Sequence, residues 1–336
     1  MNEQDFPRYK VTFIFLTAIV ALLEVLGAID LGNRPYSGFL ADDEQSITSV
    51  LPDSPAQRAG IQVGDQMKTN AGVDVKNVKA LLRLPRANIG ETRTYTFDRS
   101  GTMITIDLTF EALPPKEIVL SVAFAILGFC FLSLGLWAFF KVANTCTTLL
   151  ALFCFSAAID FITHPYVASY DLRLVYMSVL NIIVFFGYAF LFHLLLTFPI
   201  PKQIMAKKYS MILIYGPATL MSVVLILFAI LQPERSGWLF VLATVLYGLF
   251  FIGYLGMAVS ALIHSYAKAT KEERIVSGLR LMLFGTMIGL APSIISGIVR
   301  FLAPTLVLPA VDYYIFPAVL IPFSLALATT KARRVS

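Results

Sequence analysis

Long apolar runs separated by short basic turns constrain this chain more than any other feature. Val11 to Leu23 is unbroken apolar sequence, Glu24 interrupts it once, and Val25 to Ile29 resumes it before Asp30. That is about the 20 residues a helix needs to cross a bilayer. Further runs read as spans at about 118–140, 143–163, 176–198, 209–231, 238–264, 281–302 and 308–330, with ends free to move by a few residues. The expected fold is therefore a multi-span α-helical membrane protein of about eight helices. Only 14% of the 336 residues are charged and 57% are hydrophobic, against about a quarter charged in soluble domains, so the chain cannot surround itself with a water-soluble surface.

Lys and Arg gather in alternate connections. One set holds Arg8, Lys10, Lys141, Lys202, Lys207, Lys208, Lys268, Lys271, Arg274, Arg280, Lys331, Arg333 and Arg334. The opposite set, leaving out the long segment between the first two runs, which the rule does not count, holds Arg173, Arg235 and, at the edge, Arg300. This asymmetry predicts cytoplasmic termini, and it agrees with an even number of spans. The net charge of +5 is accounted for by these loops and calls for no nucleic acid. The first run reads as a signal peptide or a retained span, and the poor cleavage pattern near Gly27-Ala28 favours the span.

Between the first two runs, residues 31–114 change to a soluble composition. Within them Ser54 to Asp65 reads SPAQRAGIQVGD. Ser54 can cap a helix whose first position is Pro55, and Gly60 supplies the left-handed stop with Ile61 folding back over it. Strands are expected over 36–40 and 47–51, and another begins at Met67. Asn77 can cap a helix over 78–84 whose apolar face is Val78, Leu81 and Leu82. A hairpin over 92–97 and 103–110 turns at Asp98-Arg99-Ser100-Gly101.

In this order of elements, and in Val50-Leu51-Pro52 followed by SPA, AGI and GD, the segment resembles the bacterial PDZ domains of Deg/HtrA proteases and some membrane sensors. The resemblance covers about 80 residues. The charge asymmetry sets this segment on the extracytoplasmic side, and the resemblance implies an α+β domain in which a partner's C-terminal tail adds a strand beside the second helix. On that likeness Ser37, Gly38, Phe39 and Leu40 form the carboxylate loop and Val78, Leu81 and Leu82 the groove wall. The family prefers an apolar residue where Ser37 stands, and Asp42-Asp43-Glu44 nearby would repel a carboxylate. Peptide capture and a purely structural or dimerising domain both remain open on these residues.

No reaction centre is legible. A zinc protease needs HExxH to set two ligands and a base on one helical face, and His164, His193 and His264 each stand alone. Ser296-Gly297 lacks the preceding glycine and histidine partner of a membrane serine protease. Aspartyl types need one Asp on each of two helices, and Gly64-Asp65 belongs to the PDZ-like signature. Cys130, Cys146 and Cys154 lie in or beside apolar runs without CxxC spacing, so they read as small hydrophobes. No enzyme activity, metal or cofactor is expected. Gly285 and Gly289 form a GxxxG, whose ordinary meaning is close helix packing.

The ionisable residues at one end of the spans are more informative. A charge in hydrocarbon costs about 2.5 kcal/mol or more, so such groups pair or face water. Glu24, Asp160, His164 and Arg300 are candidates for an outward-open pocket beneath the PDZ-like domain, with Arg300 facing Glu24 or Asp160. Snorkelling side chains and one structural ion pair are the alternative. His193 to Pro199, HLLLTFP, followed by Ile200-Pro201 and lysines, resembles the membrane portion of competence-type quorum-sensing histidine kinases. Those proteins share the layout of a first span, an extracytoplasmic PDZ-like segment and a multi-span block leading to a cytoplasmic kinase or phosphatase.

Only six residues follow Thr330, so the expectation is a sensor piece of something longer, or one that acts through a separate effector. The expected organisation is a cytoplasmic N terminus and first helix over 1–30, the PDZ-like domain over 31–114, seven helices over 115–330 and a tail over 331–336, set in a bacterial inner membrane. The expected partners are the lipid bilayer, a peptide or protein C terminus, and a cytoplasmic signalling effector. The rival reading is a scaffold or protease-associated regulator. A transporter is disfavoured because no internal repeat is evident.

Overall fold

A computed structural model describes residues 6–42, 45–231, 237–302 and 311–331. Helix α1, Phe6–Leu31, is apolar nearly all round, as a helix facing lipid and protein must be. It packs through Phe13 and Val20, which are buried, and Phe13 lies with its ring centroid 4.6 Å from that of Phe139.

The segment after α1 is a small β-rich domain. Its strands are β1 (Pro35–Tyr36), β2 (Phe39–Ala41), β3 (Ile47–Val50), β4 (Gln66–Asn70), β5 (Val73–Asp74), β6 (Thr92–Arg99), β7 (Thr102–Thr109) and β8 (Glu111–Ala112). Two short helices, α2 (Pro55–Ala59) and α3 (Val78–Arg83), complete it. Every pairing is antiparallel: β2 with β3, β5-β4-β6-β7 in one sheet, and β1 with β8 where the chain enters and leaves. Ile47, Ala56, Ile61, Met67, Tyr95, Phe97 and Leu108 form its core.

Local chemistry explains these elements. The Ser54 hydroxyl accepts from the Gln57 N–H at 3.2 Å, Pro55 opens α2, and Gly60 closes it at φ +87°, a conformation that costs glycine nothing. The Asn77 side chain accepts from the Ala80 N–H at 3.1 Å to start α3. Ser100 and Gly101, at φ +52° and +85°, make the two-residue turn that matches the twist of β6 and β7.

The Gly64-Asp65 pair has a structural task. Arg99 grips both Asp65 carboxylate oxygens at 2.7 Å and the Gly60 carbonyl at 2.8 Å, and the Gln62 N–H donates to Asp65 at 2.8 Å. The Asp65 side chain is only 1% exposed. These bonds, those from Arg99 first, hold its carboxyl below the usual carboxylate range. A depressed native value means that the stabilisation is complete above the unfolded value of about 3.9 and disappears as pH falls through the native one. Hydrogen-exchange protection of β6, corrected for intrinsic rates, should therefore drop between pH 5 and pH 3, and Arg99→Gln should shrink that drop.

The remaining helices are α4 (Pro115–Lys141), α5 (Thr145–Phe161), α6 (Tyr170–Thr197), α7 (Ser210–Leu231), α8 (Trp238–Lys268), the short α9 (Lys271–Val276), α10 (Leu279–Leu302) and α11 (Leu320–Lys331). Among the described residues, seven helices are long and apolar enough to cross a membrane. The chain is thus a multi-pass membrane protein by helix length and hydropathy. The eighth expected span, 143–163, is α5, a 17-residue apolar helix. A reciprocal cap between Asn144 and Thr147 fixes its start.

Helix contacts are close wherever a glycine faces a neighbour. A Cβ on Gly135 would lie 2.6 Å from that of Cys154, and one on Gly187 would lie 2.5 Å from that of Ser156. Gly285 and Gly289 pass against Ser324 and the Pro317 carbonyl, so the GxxxG is a packing device, as its ordinary meaning implies. The three cysteines are free, and Cys154 is buried in the core.

The expected span over 308–330 is present as Tyr313–Lys331, but it is not one regular α-helix. Residues Val311–Val319 form a 3-10 helix and only Leu320–Lys331 is α-helical. Pro317 and Pro322 each lack an N–H and crowd the carbonyl four residues back, so the tighter ladder replaces the α-helical one until Pro322 can sit in a first turn, where no partner is needed. Pro217 and Pro292 do lie inside helices.

Candidate functional site

The β2 strand has one partner, β3, and a free edge that looks toward α3. Because the Leu51 N–H donates to the Gly38 carbonyl at 2.8 Å, the antiparallel alternation turns the Phe39 backbone groups to that free edge. Between β2 and α3 lies a cavity of about 560 Å³. Phe39, Ala41, Met67, Leu81 and Tyr95 give it apolar walls, and Asp42 and Asn70 are polar.

Gly38 makes the turn into β2 at φ +79°, and a Cβ there would stand 2.1 Å from that of Ser54. The Ser37 carbonyl accepts from the Ala56 N–H at 2.9 Å. The loop Ser37-Gly38 is thereby fixed to the start of α2, at one end of the groove.

Leu40 points away from the cavity and is 60% exposed, as the two-residue period of a strand requires when Phe39 and Ala41 point in. Leu82 also lies off the groove and is 39% exposed. The Val78 side chain, like Asp43 and Glu44, lies outside the described residues.

Asp42 accepts from the Ser46 N–H at 2.8 Å and has no cation partner among the described residues. Arg93, also in the lining, spends its charge on Glu91 at 2.7 Å. Asn70 Oδ1 is buried without a hydrogen-bond partner. The groove therefore presents one unpartnered amide oxygen and a carboxylate without a cation.

Immediately beyond Leu81 the domain is fastened to the helices. Arg173 of α6 donates to the Leu82 carbonyl at 2.7 Å. Arg86 forms a two-pronged ion pair with Asp30 at 2.6 and 2.7 Å, and its backbone N–H donates to the Tyr166 hydroxyl at 3.0 Å. The Tyr166 ring lies under both guanidinium groups, 4.3 Å from Arg86 and 5.4 Å from Arg173, a favourable contact for a ring quadrupole.

At this seam a cavity of about 690 Å³ opens. It brings Asp160 and His164 together with Arg34, Arg86 and Arg173. His164 Nδ1 lies 3.0 Å from the Tyr176 hydroxyl, and burial pushes its imidazole below the usual range. Glu24 is one layer away, accepting from the Thr163 N–H at 2.7 Å. That bond gives Glu24 a backbone partner, and the Arg300 side chain proposed to face it lies outside the described residues. Sequence reading missed Arg86 and Tyr166. Their only signal is a basic residue and an aromatic one in opposed loops, too weak to pair without the fold.

No family model matches the chain. A protein of Mesorhizobium japonicum, provisionally named a zinc metalloprotease, is 30% identical over 82 residues, which make up 24% of this chain and 22% of that protein. The match thus spans about a fifth of the relative's length. Among solved structures, a serine endoprotease from Yersinia pestis is 25% identical with a TM-score of 0.22, over 25% of this chain and 30% of that one. An HtrA-type protease with a decapeptide is 20% identical with a TM-score of 0.23, over 29% and 35%. The β-rich domain is PDZ-like in the order of its strands and helices. No group of three His, Cys, Asp or Glu stands close enough to hold a metal among the described residues.

Proposed function

We propose that this chain is a non-enzymatic membrane sensor in which an extended peptide binds along the free edge of β2 and α3 carries the event into the helices. One observation supports this above the others: a single six-residue helix serves both places. Leu81 lines the groove, and the carbonyl of the next residue is held by Arg173. An added strand that presses on Leu81 bears directly on that fastening. By the placement of Lys and Arg, the PDZ-like domain stands outside the bacterial inner membrane and the effector, a histidine kinase or phosphatase, works from the cytoplasm. The ligand shifts the helices only by the margin with which it prefers one arrangement, about 1.4 kcal/mol for each tenfold preference.

In this reading the Ser37–Leu40 loop receives the C-terminal carboxylate, and Asp42 and Asn70 meet side chains further up the peptide. The favoured partner carries Lys or Arg a few residues before its terminus. The test is binding of labelled peptides with free C termini to the full chain in nanodiscs. Leu81→Arg should weaken capture by at least about tenfold, or 1.4 kcal/mol, and a basic upstream residue should strengthen it. Absence of binding by the unmutated chain would end this reading. The likeness to a protein named as a protease favours a second one, a scaffold that holds a protease's partner; it predicts capture with no change at the seam.

A further inference from the structure

The stretch His193 to Lys202 has a use that the sensor reading leaves unassigned. His193 Nδ1 lies 2.8 Å from the Tyr215 hydroxyl, and the Lys202 N–H donates to the Leu196 carbonyl at 2.9 Å. The segment after α6 thus folds back beneath its own helix. Lys202 Nζ donates to the Leu195 carbonyl at 2.8 Å and to the Ser265 hydroxyl at 2.5 Å. Both acceptors are neutral, and no carboxylate pairs with Lys202 among the described residues. An ammonium group has three N–H bonds, so one remains.

That remaining donor sits at the end of a trench of about 520 Å³ between α6 and α8. Phe192, Leu196, Ile252 and Met257 make the trench apolar, and Gly253 and Gly256 leave it open, since a Cβ on either would meet nothing within 4 Å. From Ile252 to His264 the trench follows α8 for about 18 Å. Lys207, Lys208 and Lys268 are exposed at the same end.

A cation at the mouth and a long apolar channel behind it match one kind of occupant. We infer that the chain holds an acidic phospholipid here, its phosphate on Lys202 and one acyl chain along the Gly253 and Gly256 face. Lys202 supplies a point charge and one hydrogen bond to phosphate, and the channel shelters the chain from the packing defects that two bare glycines would otherwise leave. The surrounding lysines add long-range attraction for an anionic headgroup.

The test uses the full chain in nanodiscs of phosphatidylcholine doped with phosphatidylglycerol, with native mass spectrometry reading the lipid that stays bound. The unmutated chain should retain phosphatidylglycerol several-fold over phosphatidylcholine, and added inorganic phosphate should not displace it. Lys202→Met should erase the preference. Gly256→Leu fills the trench at a position with no neighbour to strike, so it should fold and lose the retained lipid; it decides the matter if the Lys202 variant is unstable. Equal retention of the two lipids by the unmutated chain, displacement by free phosphate, or unchanged retention in Gly256→Leu would overturn the assignment.

Discussion

Replacing Gly27 with alanine is expected to loosen the first helix from the bundle, although the same exchange inside a helix ordinarily stabilises it by about 0.5–1 kcal/mol. A Cβ on Gly27 would stand 1.9 Å from the Thr163 carbonyl oxygen. The obstacle is backbone, which cannot rotate aside as a side chain can. The helix must move away as a unit, and the Glu24 bond to the Thr163 N–H goes with it. The cost should reach or exceed the upper end of the ~1–3 kcal/mol usual for overpacking. Gly256→Ala, which meets nothing, is the matched control and should be neutral or stabilising. Thermal melting in detergent, with exchange protection of residues 13–27, reads the difference; equal behaviour of the two variants would contradict the close approach.

Arg86→Ala is expected to release the PDZ-like domain from the helices while leaving both folded. It removes the two-pronged pair with Asp30 and the guanidinium over Tyr166. Breaking a fully buried pair costs about 3–5 kcal/mol. Here the side chains are 22% and 16% exposed, so water recovers part of it and about 2 kcal/mol is expected. That corresponds to roughly a thirtyfold increase in the open population. Exchange should rise in residues 82–86 and 163–173 and not in β6 or β7. In the same variant a groove peptide should still bind, but its effect on α6 should vanish. Retention of that effect would separate the groove from the seam.

How much of this was readable in the residues depended on the range of the interactions. The stretch from Ser54 to Asp65 was decipherable because each of its features closes within a few residues: a cap, a proline at the first helical position, a left-handed glycine. The hairpin of β6 and β7 was readable for the same reason. Span positions, that of α5 included, followed from apolar length, but the shortness of α5 and the 3-10 segment over Val311–Val319 did not, because apolar content says nothing about where prolines and caps stop the ladder. The seam was invisible. Asp30 and Arg86 are 56 residues apart, and Arg173 and Leu82 are 91 apart, and nothing local marks either pair. Helical spacing placed Leu82 on the apolar face with Leu81, yet α3 has six residues, and Leu82 ended as a carbonyl partner of Arg173 with its side chain outside the groove.

The short reach of α5 has a consequence for how water meets this protein. At 17 residues it rises about 25 Å, against a hydrocarbon layer of about 30 Å. Its last turn is replaced by the loop that carries Thr163, His164 and Tyr166. The shortfall leaves the seam cavity at the end of α5, walled by both charged and apolar side chains. Asp160, near the helix end, lines that hollow together with His164 and three arginines. A solute that reaches that carboxylate from the seam passes Arg34, Arg86 and Arg173 on one hand and Phe124, Phe161 and Met177 on the other.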